Sequence, residues 1–330
     1  MRPVGRNASY ATFAGFMRAS YSHRLGDNVR CQLKDAQIAA VVVTHDRRDL
    51  LTEALTALLY GQTRPPDTIV VVDNASSDGT PHLVRERFPA VRLLELPRNT
   101  GGAGGFAAGI AHALDLGADA LWLMDDDTVP EPHALAALLA ARDRGRDERG
   151  RPPALVASRV VWTDGRDHPM NTPRSRPSAV PGCARIRSAS FVSVLVDAEA
   201  VRERGLPIAD YFLWNDDFEF TLRLLRGRAG LLCRDSVVVH RTASPAFDPG
   251  RRFFYEVRNK VWLFTRSRCL RPGERLLYAG ATARRWARTL AGSADRAALL
   301  RALGRGLWAG LRSGPRPNEA VLTYRGSASR

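Results

Sequence analysis

Lysine is almost missing from this chain: of its 49 basic residues, only Lys34 and Lys260 are not arginine. Arginine in place of lysine, beside abundant Ala, Gly and Pro, reads as the imprint of a GC-rich genome, so part of the formal net charge of +15 is codon usage. The remainder implies an anionic partner. Cysteine is scarce too. Cys31, Cys183, Cys233 and Cys269 stand far apart with no Cys-x-x-Cys pair, which argues against a zinc site or a disulfide framework and predicts reduced thiols in the cytoplasm. No window approaches the roughly 18 consecutive apolar residues of a membrane span, and the N-terminus has no apolar signal-peptide core. The expectation is a protein that does not cross a membrane but is free to lie on one. No internal repeat is visible. With 45% hydrophobic and 25% charged residues over 330 positions, the chain has material for a core of ordinary composition.

Against those absences stands one dense stretch, Leu121-Trp122-Leu123-Met124-Asp125-Asp126-Asp127, a buried-strand pattern running straight into three carboxylates. Adjacent carboxylates repel, and a cluster without a counter-ion is costly. Oxygen-only ligands at a strand end suit a hard divalent ion, Mg²⁺ or Mn²⁺, that keeps positions open for phosphate oxygens. The stretch therefore points to phosphate-ester chemistry.

The surrounding pattern predicts α/β architecture. Residues 1–35 show no clear period and read as a poorly ordered leader. Ile38–Val43, Thr68–Asp73, Val91–Leu96 and the acid-tipped strand alternate with helical patterns over Asp49–Tyr60, His82–Phe88 and the glycine-rich segment running to Leu116. Strand and helix alternating through short connections mean a doubly wound, mostly parallel sheet. Its ligands sit outside the carboxyl ends of the strands, where Thr44-His45-Asp46-Arg47, Asp73-Asn74, Asn99 and Asp125–Asp127 all fall. Further on, Pro132–Ala141 reads as a helix, Ala154–Trp162 and Ser190–Val196 as strands, and Thr163–Arg187 as a long Pro-rich loop. A short helix over Ala198–Arg204 precedes a second acidic block, Asn215-Asp216-Asp217-Phe218-Glu219, which opens a helix; a strand over Gly230–His240 ends in a histidine. The division expected is a catalytic region over 36–245, with halves 36–130 and 131–245, and basic amphipathic helices over 246–330 carrying Trp262, Trp286 and Trp308. Such helices suit either an anionic membrane surface or packing on the catalytic region.

Two rival readings remain open at this level. Gly102-x-Gly104-x-x-Ala107 follows a strand, opens a helix and has Asp125 near the distance expected of a ribose-binding acid, as in a dinucleotide fingerprint. That would make the protein a nicotinamide-dependent oxidoreductase, but it comes on the third strand and leaves Asp73, Asp126, Asp127 and Asp217 without a role. A nucleic-acid-binding protein would use the positive charge, yet no nucleic-acid motif is present.

Thr44-His45-Asp46-Arg47, Val72-Asp73-Asn74-Ala-Ser-Ser-Asp-Gly-Thr80, Asn99-x-Gly101 and Asp125-x-Asp127 together resemble the nucleotide-binding half of inverting family-two glycosyltransferases with the GT-A fold. Asp216-Asp217-x-Glu219-Phe220-x-x-Arg223 is similar to that family's acceptor-side motif, and His240 to its metal-binding histidine. The block Trp214–Phe220 and Tyr255-x-x-Arg258-Asn259-Lys260 resemble, more narrowly, the galactofuranosyltransferases of actinobacterial cell-wall assembly. The resemblance implies Asp73 at the uracil N–H, with Thr44 and Asp46 lining the base and ribose pocket. It implies Arg47, Asn74, Asn99, Gly101, Gly102, Asp125 and Asp126 around the nucleotide sugar, and Asp125, Asp127 and His240 at Mn²⁺ or Mg²⁺. Asp217 is then the acceptor base, Asp216 its neighbour, and Trp214, Phe212 and Glu219 the acceptor's contacts. His45 and Asp46 depart from the aromatic residue and Asn usual there. The implied reaction moves galactofuranose from UDP-galactofuranose to a polyprenyl-diphosphate-linked glycan at the cytoplasmic membrane face. Rhamnosyl transfer from dTDP-rhamnose is the alternative.

Overall fold

The computed structural model describes residues 36–242 and 249–323. The expected leader over 1–35 lies outside them. Ten strands form one sheet: β1 (Ile38–Thr44), β2 (Thr68–Asp73), β3 (Arg92–Glu95), β4 (Ala120–Asp125), β5 (Thr128–Pro130), β6 (Leu155–Val161), β7 (Ser175–Pro177), β8 (Cys183–Ile186), β9 (Val194–Asp197) and β10 (Gly230–His240). Their order is β3-β2-β1-β4-β9-β6-β10-β8-β7, with β5 paired to β10.

The first half is the parallel, doubly wound unit that the alternation predicts. β1 runs parallel to both β2 and β4, and β2 to β3. Alternate side chains of β1 feed opposite cores. Val41 and Val43 join Phe106 and Ile110 of α3 (Gly101–Asp115), while Ala40 and Val42 join Leu51, Leu55 and Leu58 of α1 (Arg48–Tyr60). A sheet covered on both faces has no polar side, which explains the continuous apolar runs. Trp122 is fully buried there, its indole N–H satisfied by Ser193 Oγ at 2.9 Å. Helix α3 lies close on the sheet because a Cβ at Gly109 would stand 2.5 Å from Val41 Cγ1 and 2.7 Å from Val72 Cγ2.

Register decides where the polar strand ends meet. Thr44 pairs with Asp73 and Val43 with Asp125, so β1, β2 and β4 deliver their terminal groups to one rim. Helix α2 (Thr80–Arg87) follows β2, and α4 (Ala134–Arg144) follows β5, running three residues past its expected end at Ala141.

The second half departs from the simple pattern. β9 is inserted antiparallel between β4 and β6, and it is shorter than the strand expected from Ser190. β10 again runs parallel to β6. The segment read as a structureless loop over Thr163–Arg187 contains β7 and β8, because β8 finds its partner in β10, far along the chain. Helix α5 (Ala198–Arg204) has the expected bounds, and α6 (Asp216–Leu224) starts on the second acidic block.

Four helices follow: α7 (Phe253–Thr265), α8 (Pro272–Gly292), α9 (Arg296–Arg312) and α10 (Asn318–Leu322). Helix α7 is built into the body of the protein. Trp262 packs with Ala103 and Tyr211, and Leu263 with Leu222, Cys269 and Leu270. Helix α8 is the opposite case, with Thr282 its one buried residue. No described helix is long and apolar enough to cross a membrane.

Candidate active site

The rim carries a connected set of charges. Asp126 is buried and accepts from Thr44 Oγ1 at 2.8 Å and from Arg47 Nη1 at 3.2 Å, and the same guanidinium nitrogen reaches Asp127 Oδ2 at 2.5 Å. Burial pushes the Asp126 carboxyl up to about 6 against the pull of Arg47, with Asp127 adding to the rise. Asp125 is raised well above the ordinary range by burial and by the two neighbouring acids. Asp127 goes the other way: burial pushes it up, but His240 and Arg47 outweigh that and hold it below the usual value.

His240 reaches this cluster through strand pairing. Thr128 of β5 sits opposite His240 of β10, and the Arg241 N–H donates to the Asp127 carbonyl at 2.8 Å. His240 Nε2 then lies 3.1 Å from Asp127 Oδ1, a buried oxygen. Asn171 Oδ1 stands 3.0 Å from His240 Nδ1. An amide oxygen only accepts, so Nδ1 is the donor to Asn171 and Nε2 is the ring nitrogen that faces the carboxylates. Ligand atoms of Asp125, Asp127 and His240 all fall within 4.8 Å of one another. Two carboxylates and an imidazole nitrogen converging this closely fit a divalent cation, which would take the place of a proton on Nε2.

The nucleotide side follows from β2. Asp73 is buried, takes the Ser76 N–H on Oδ2 at 3.1 Å and keeps Oδ1 without a partner, an acceptor ready for a base N–H. Asp46 is exposed at φ 51° and accepts from the Ser77 N–H at 2.6 Å, so it braces the turn after β2 as well as lining the rim. Asn74 is committed inward: its Nδ2 donates to the Gly101 carbonyl at 2.8 Å and its Oδ1 accepts from the Thr100 N–H at 2.8 Å. Asn99 Oδ1 accepts from the Gly101 N–H at 2.8 Å. These two side chains shape the glycine segment rather than pointing free side-chain atoms at a ligand. Gly102 has open space where a Cβ would be.

The second acidic block, on α6, lies close enough to the rim that the Asp217 charge helps raise Asp125. Asp216 is buried and Asp217 partly exposed, with Asp217 Oδ1 accepting from the Phe218 N–H at 2.6 Å. Burial and the adjacent Asp217 charge push Asp216 up to about 8, while burial raises Asp217 only to about 6 because the Phe218 N–H and Lys260 favour its ionised form. Glu219, expected among the acceptor contacts, is buried and engaged by Arg223 at 3.0 Å and Ser267 Oγ at 2.9 Å, which gives its carboxylate a structural task. Phe212 stacks on Tyr255 with ring centroids 4.9 Å apart, and Trp214 is partly exposed at φ 65°.

Residues 39–150 match the family model described as Glycosyl transferase family 2. The chain is also 33% identical over 273 residues to galactofuranosyltransferase GlfT1 of Mycobacterium tuberculosis, covering 73% of this chain and 85% of that protein. The chain belongs to glycosyltransferase family 2. The Mycolicibacterium smegmatis GlfT1 is 32% identical over 270 residues, at the same coverage of 73% and 85%. The fold agrees with solved GT-A glycosyltransferases. S. aureus TarS 1-349 in complex with UDP-GlcNAc superposes with a TM-score of 0.56 at 16% identity, over 83% of this chain and 81% of that one. The mannosyltransferase PcManGT from Pyrobaculum calidifontis, in complex with GDP-Man and Mn²⁺, gives 0.52 at 21% identity, over 87% and 78%. This family-two enzyme is thus a glycosyltransferase using a nucleotide sugar, and the oxidoreductase and nucleic-acid readings fall. Of the two glycines in the apparent dinucleotide fingerprint, Gly102 has open space at its Cβ position and Gly104 lies against Thr100, while the close seating of α3 on β1 and β2 rests on Gly105 and Gly109.

Several working residues carried no readable signal. Asn171 lies in the stretch read as loop, and its tie to His240 spans 69 positions. Asn215 donates to Glu256 Oε2 at 2.8 Å, a link from the acidic block to α7 that no local pattern announces.

Proposed function

We propose that this enzyme transfers galactofuranose, with inversion, from UDP-galactofuranose to a hydroxyl of a polyprenyl-diphosphate-linked glycan. The observation that carries the reading is the rim itself: an orphan acceptor at Asp73, a triad of possible metal ligands at Asp125, Asp127 and His240, and the Asp217 carboxyl close enough for its charge to act on Asp125. The names of the mycobacterial relatives support the sugar, and a UDP-sugar in a neighbour of the same fold supports the nucleotide.

Asp73 Oδ1 accepts the uracil N–H, and Arg47, half exposed beside Asp126 and Asp127, is within reach of diphosphate oxygens. A bound Mn²⁺ or Mg²⁺ supplies charge neutralisation for the leaving diphosphate. Asp217 takes the proton of the acceptor hydroxyl as that oxygen bonds to the anomeric carbon; the bond from that carbon to UDP breaks, and UDP leaves with the electron pair. Asp216, holding its own proton, orients the acceptor or its neighbour. Phe212 and Trp214 offer faces for an acceptor sugar.

The acceptor's lipid supports a place at the inner face of the cell membrane, and the C-terminal helices have the surface for it. Leu276 and Leu277 of α8 and Leu300, Trp308 and Leu311 of α9 are exposed among Arg284, Arg288, Arg301, Arg305 and Arg312.

Calorimetric titration of UDP and dTDP, with Mn²⁺ and then with excess EDTA, tests the core of the reading. Metal-dependent UDP binding is expected, lost in Asp127→Ala and kept in Asp217→Asn, while Asp217→Asn has no turnover. A preference for dTDP would move the donor to a rhamnosyl nucleotide. UDP binding indifferent to EDTA and to Asp127→Ala would sink the metal role.

A further inference from the structure

The chain reaches Asp216 and Asp217 through a contorted approach. Phe212, Trp214 and Asn215 have φ of 63°, 65° and 66°, and none is glycine. L-residues rarely adopt such values, and three within four positions persist only where the surroundings over-determine them.

The restraint comes from outside the nucleotide-binding fold, from α7. Asn259 is fully buried, and its Nδ2 donates to the carbonyls of Tyr211 at 2.9 Å, Leu213 at 2.8 Å and Trp214 at 2.8 Å. One amide therefore gathers three backbone acceptors of the turn. The amide is itself oriented: Asn259 Oδ1 accepts from Arg258 Nε at 3.0 Å and Nη2 at 2.9 Å, which fixes which end faces the turn. Arg258 Nη2 also reaches the carbonyls of Asp210 at 2.8 Å and Tyr211 at 3.0 Å, and its guanidinium sits 4.2 Å from the Trp262 ring centroid. One turn earlier on α7, Glu256 accepts from Asn215 Nδ2, and Tyr255 stacks on Phe212. The turn is closed on its far side by Gly101, where a Cβ would meet the Phe212 carbonyl oxygen at 1.9 Å and where the Ala103 N–H donates to that oxygen at 3.2 Å.

We infer that Asn259, locked by Arg258, is a positioning residue for transfer: it holds the left-handed turn 212–215 in the shape that aims Asp216 and Asp217, making α7 part of the acceptor site. The inference rests on the reading of Asp217 as acceptor base. It gives the C-terminal region a task at the reacting centre that is separate from any membrane contact. Because the turn leans on Gly101 at the start of α3, its geometry ties the acceptor acids to the donor half.

The test compares Asn259→Leu with Asp217→Asn in the full-length enzyme, reading kcat, donor KM, UDP affinity with Mn²⁺, and thermal midpoint. A misplacement on the order of 1 Å costs about 100-fold in rate. The expected result for Asn259→Leu is a loss of that order in kcat, with donor KM and UDP affinity unchanged in a folded protein. Wild-type kcat in folded Asn259→Leu would overturn the inference while leaving the base reading intact if Asp217→Asn is inactive. Turnover surviving in Asp217→Asn would overturn the base reading and this inference with it. Loss of UDP affinity in step with kcat would mark Asn259 as merely structural and also overturn it. Should Asn259→Leu fail to fold, Asn259→Asp, which keeps the shape and loses the donors, is read by the same criteria.

Discussion

Asp216 and Asp217 are neighbours in sequence with opposite tasks, and their surroundings separate them. Burial raises both, but the Phe218 N–H and the Lys260 charge hold Asp217 at about 6 while Asp216 rises to about 8. A base must be unprotonated to act, so kcat is expected to fall about tenfold per unit as pH drops below about 6. Lys260 is buried, with its ammonium 4.6 Å from the Phe218 ring centroid, and its charge favours ionised Asp217. Lys260→Met should therefore move this acid limb to higher pH, and a limb that stays put or moves lower would show that Lys260 does not tune the base. At this scale much was legible beforehand: carboxylates at strand ends have few structural uses, so Asp73, Asp125 and Asp127 stood out, and Asp217 was marked by the resemblance of its helix-opening motif. The resemblance named Asp217 the base and Asp216 its neighbour, but the physical cause of that division was not legible, because it involves Lys260 from a helix more than 40 positions away.

Among the elements, α3 is the one on which both halves of the site depend. Its first residues receive Asn74 and the Phe212 carbonyl, and its glycines bring it against β1 and β2. Gly109→Val would drive a branched side chain into Val41 and Val72, both fully buried, and overpacking of this kind costs about 1–3 kcal/mol. A denaturant titration should show the lower midpoint, and an unchanged midpoint would mean that α3 can lift without cost. Helix and strand types in this half were readable because both faces of the sheet are covered, which leaves uninterrupted apolar runs. β7 and β8 were not readable: each is short, and the pairing of β8 with β10 joins Cys183 to Cys233 across a long stretch of chain.

For the whole molecule, the C-terminal region combines two kinds of helix. Removing Arg251–Arg330 looks from the sequence like a clean way to strip a membrane patch. It would also remove Trp262 and Leu263 from the body of the protein and Asn259 from the acceptor turn. Point changes on the exposed face separate the roles. Leu276→Glu with Leu277→Glu is expected to lower sedimentation with vesicles containing anionic lipid while leaving UDP binding and the thermal midpoint unchanged. Equal sedimentation of the double variant would argue that this face does not meet the membrane.

The alternation of apolar runs, turn residues and acids determined by itself that a doubly wound sheet would carry Thr44, Asp73 and Asp125 to one rim, because strand period and right-handed crossovers leave few other arrangements. Only the tertiary structure decided what completes that rim. The reversal of β9, the β5–β10 pairing that sets His240 beside Asp127, and the grip of Asn259 on the turn before Asp216 all join residues distant in sequence. Their pairing energy is realised when the chain has closed, so no local pattern encodes it.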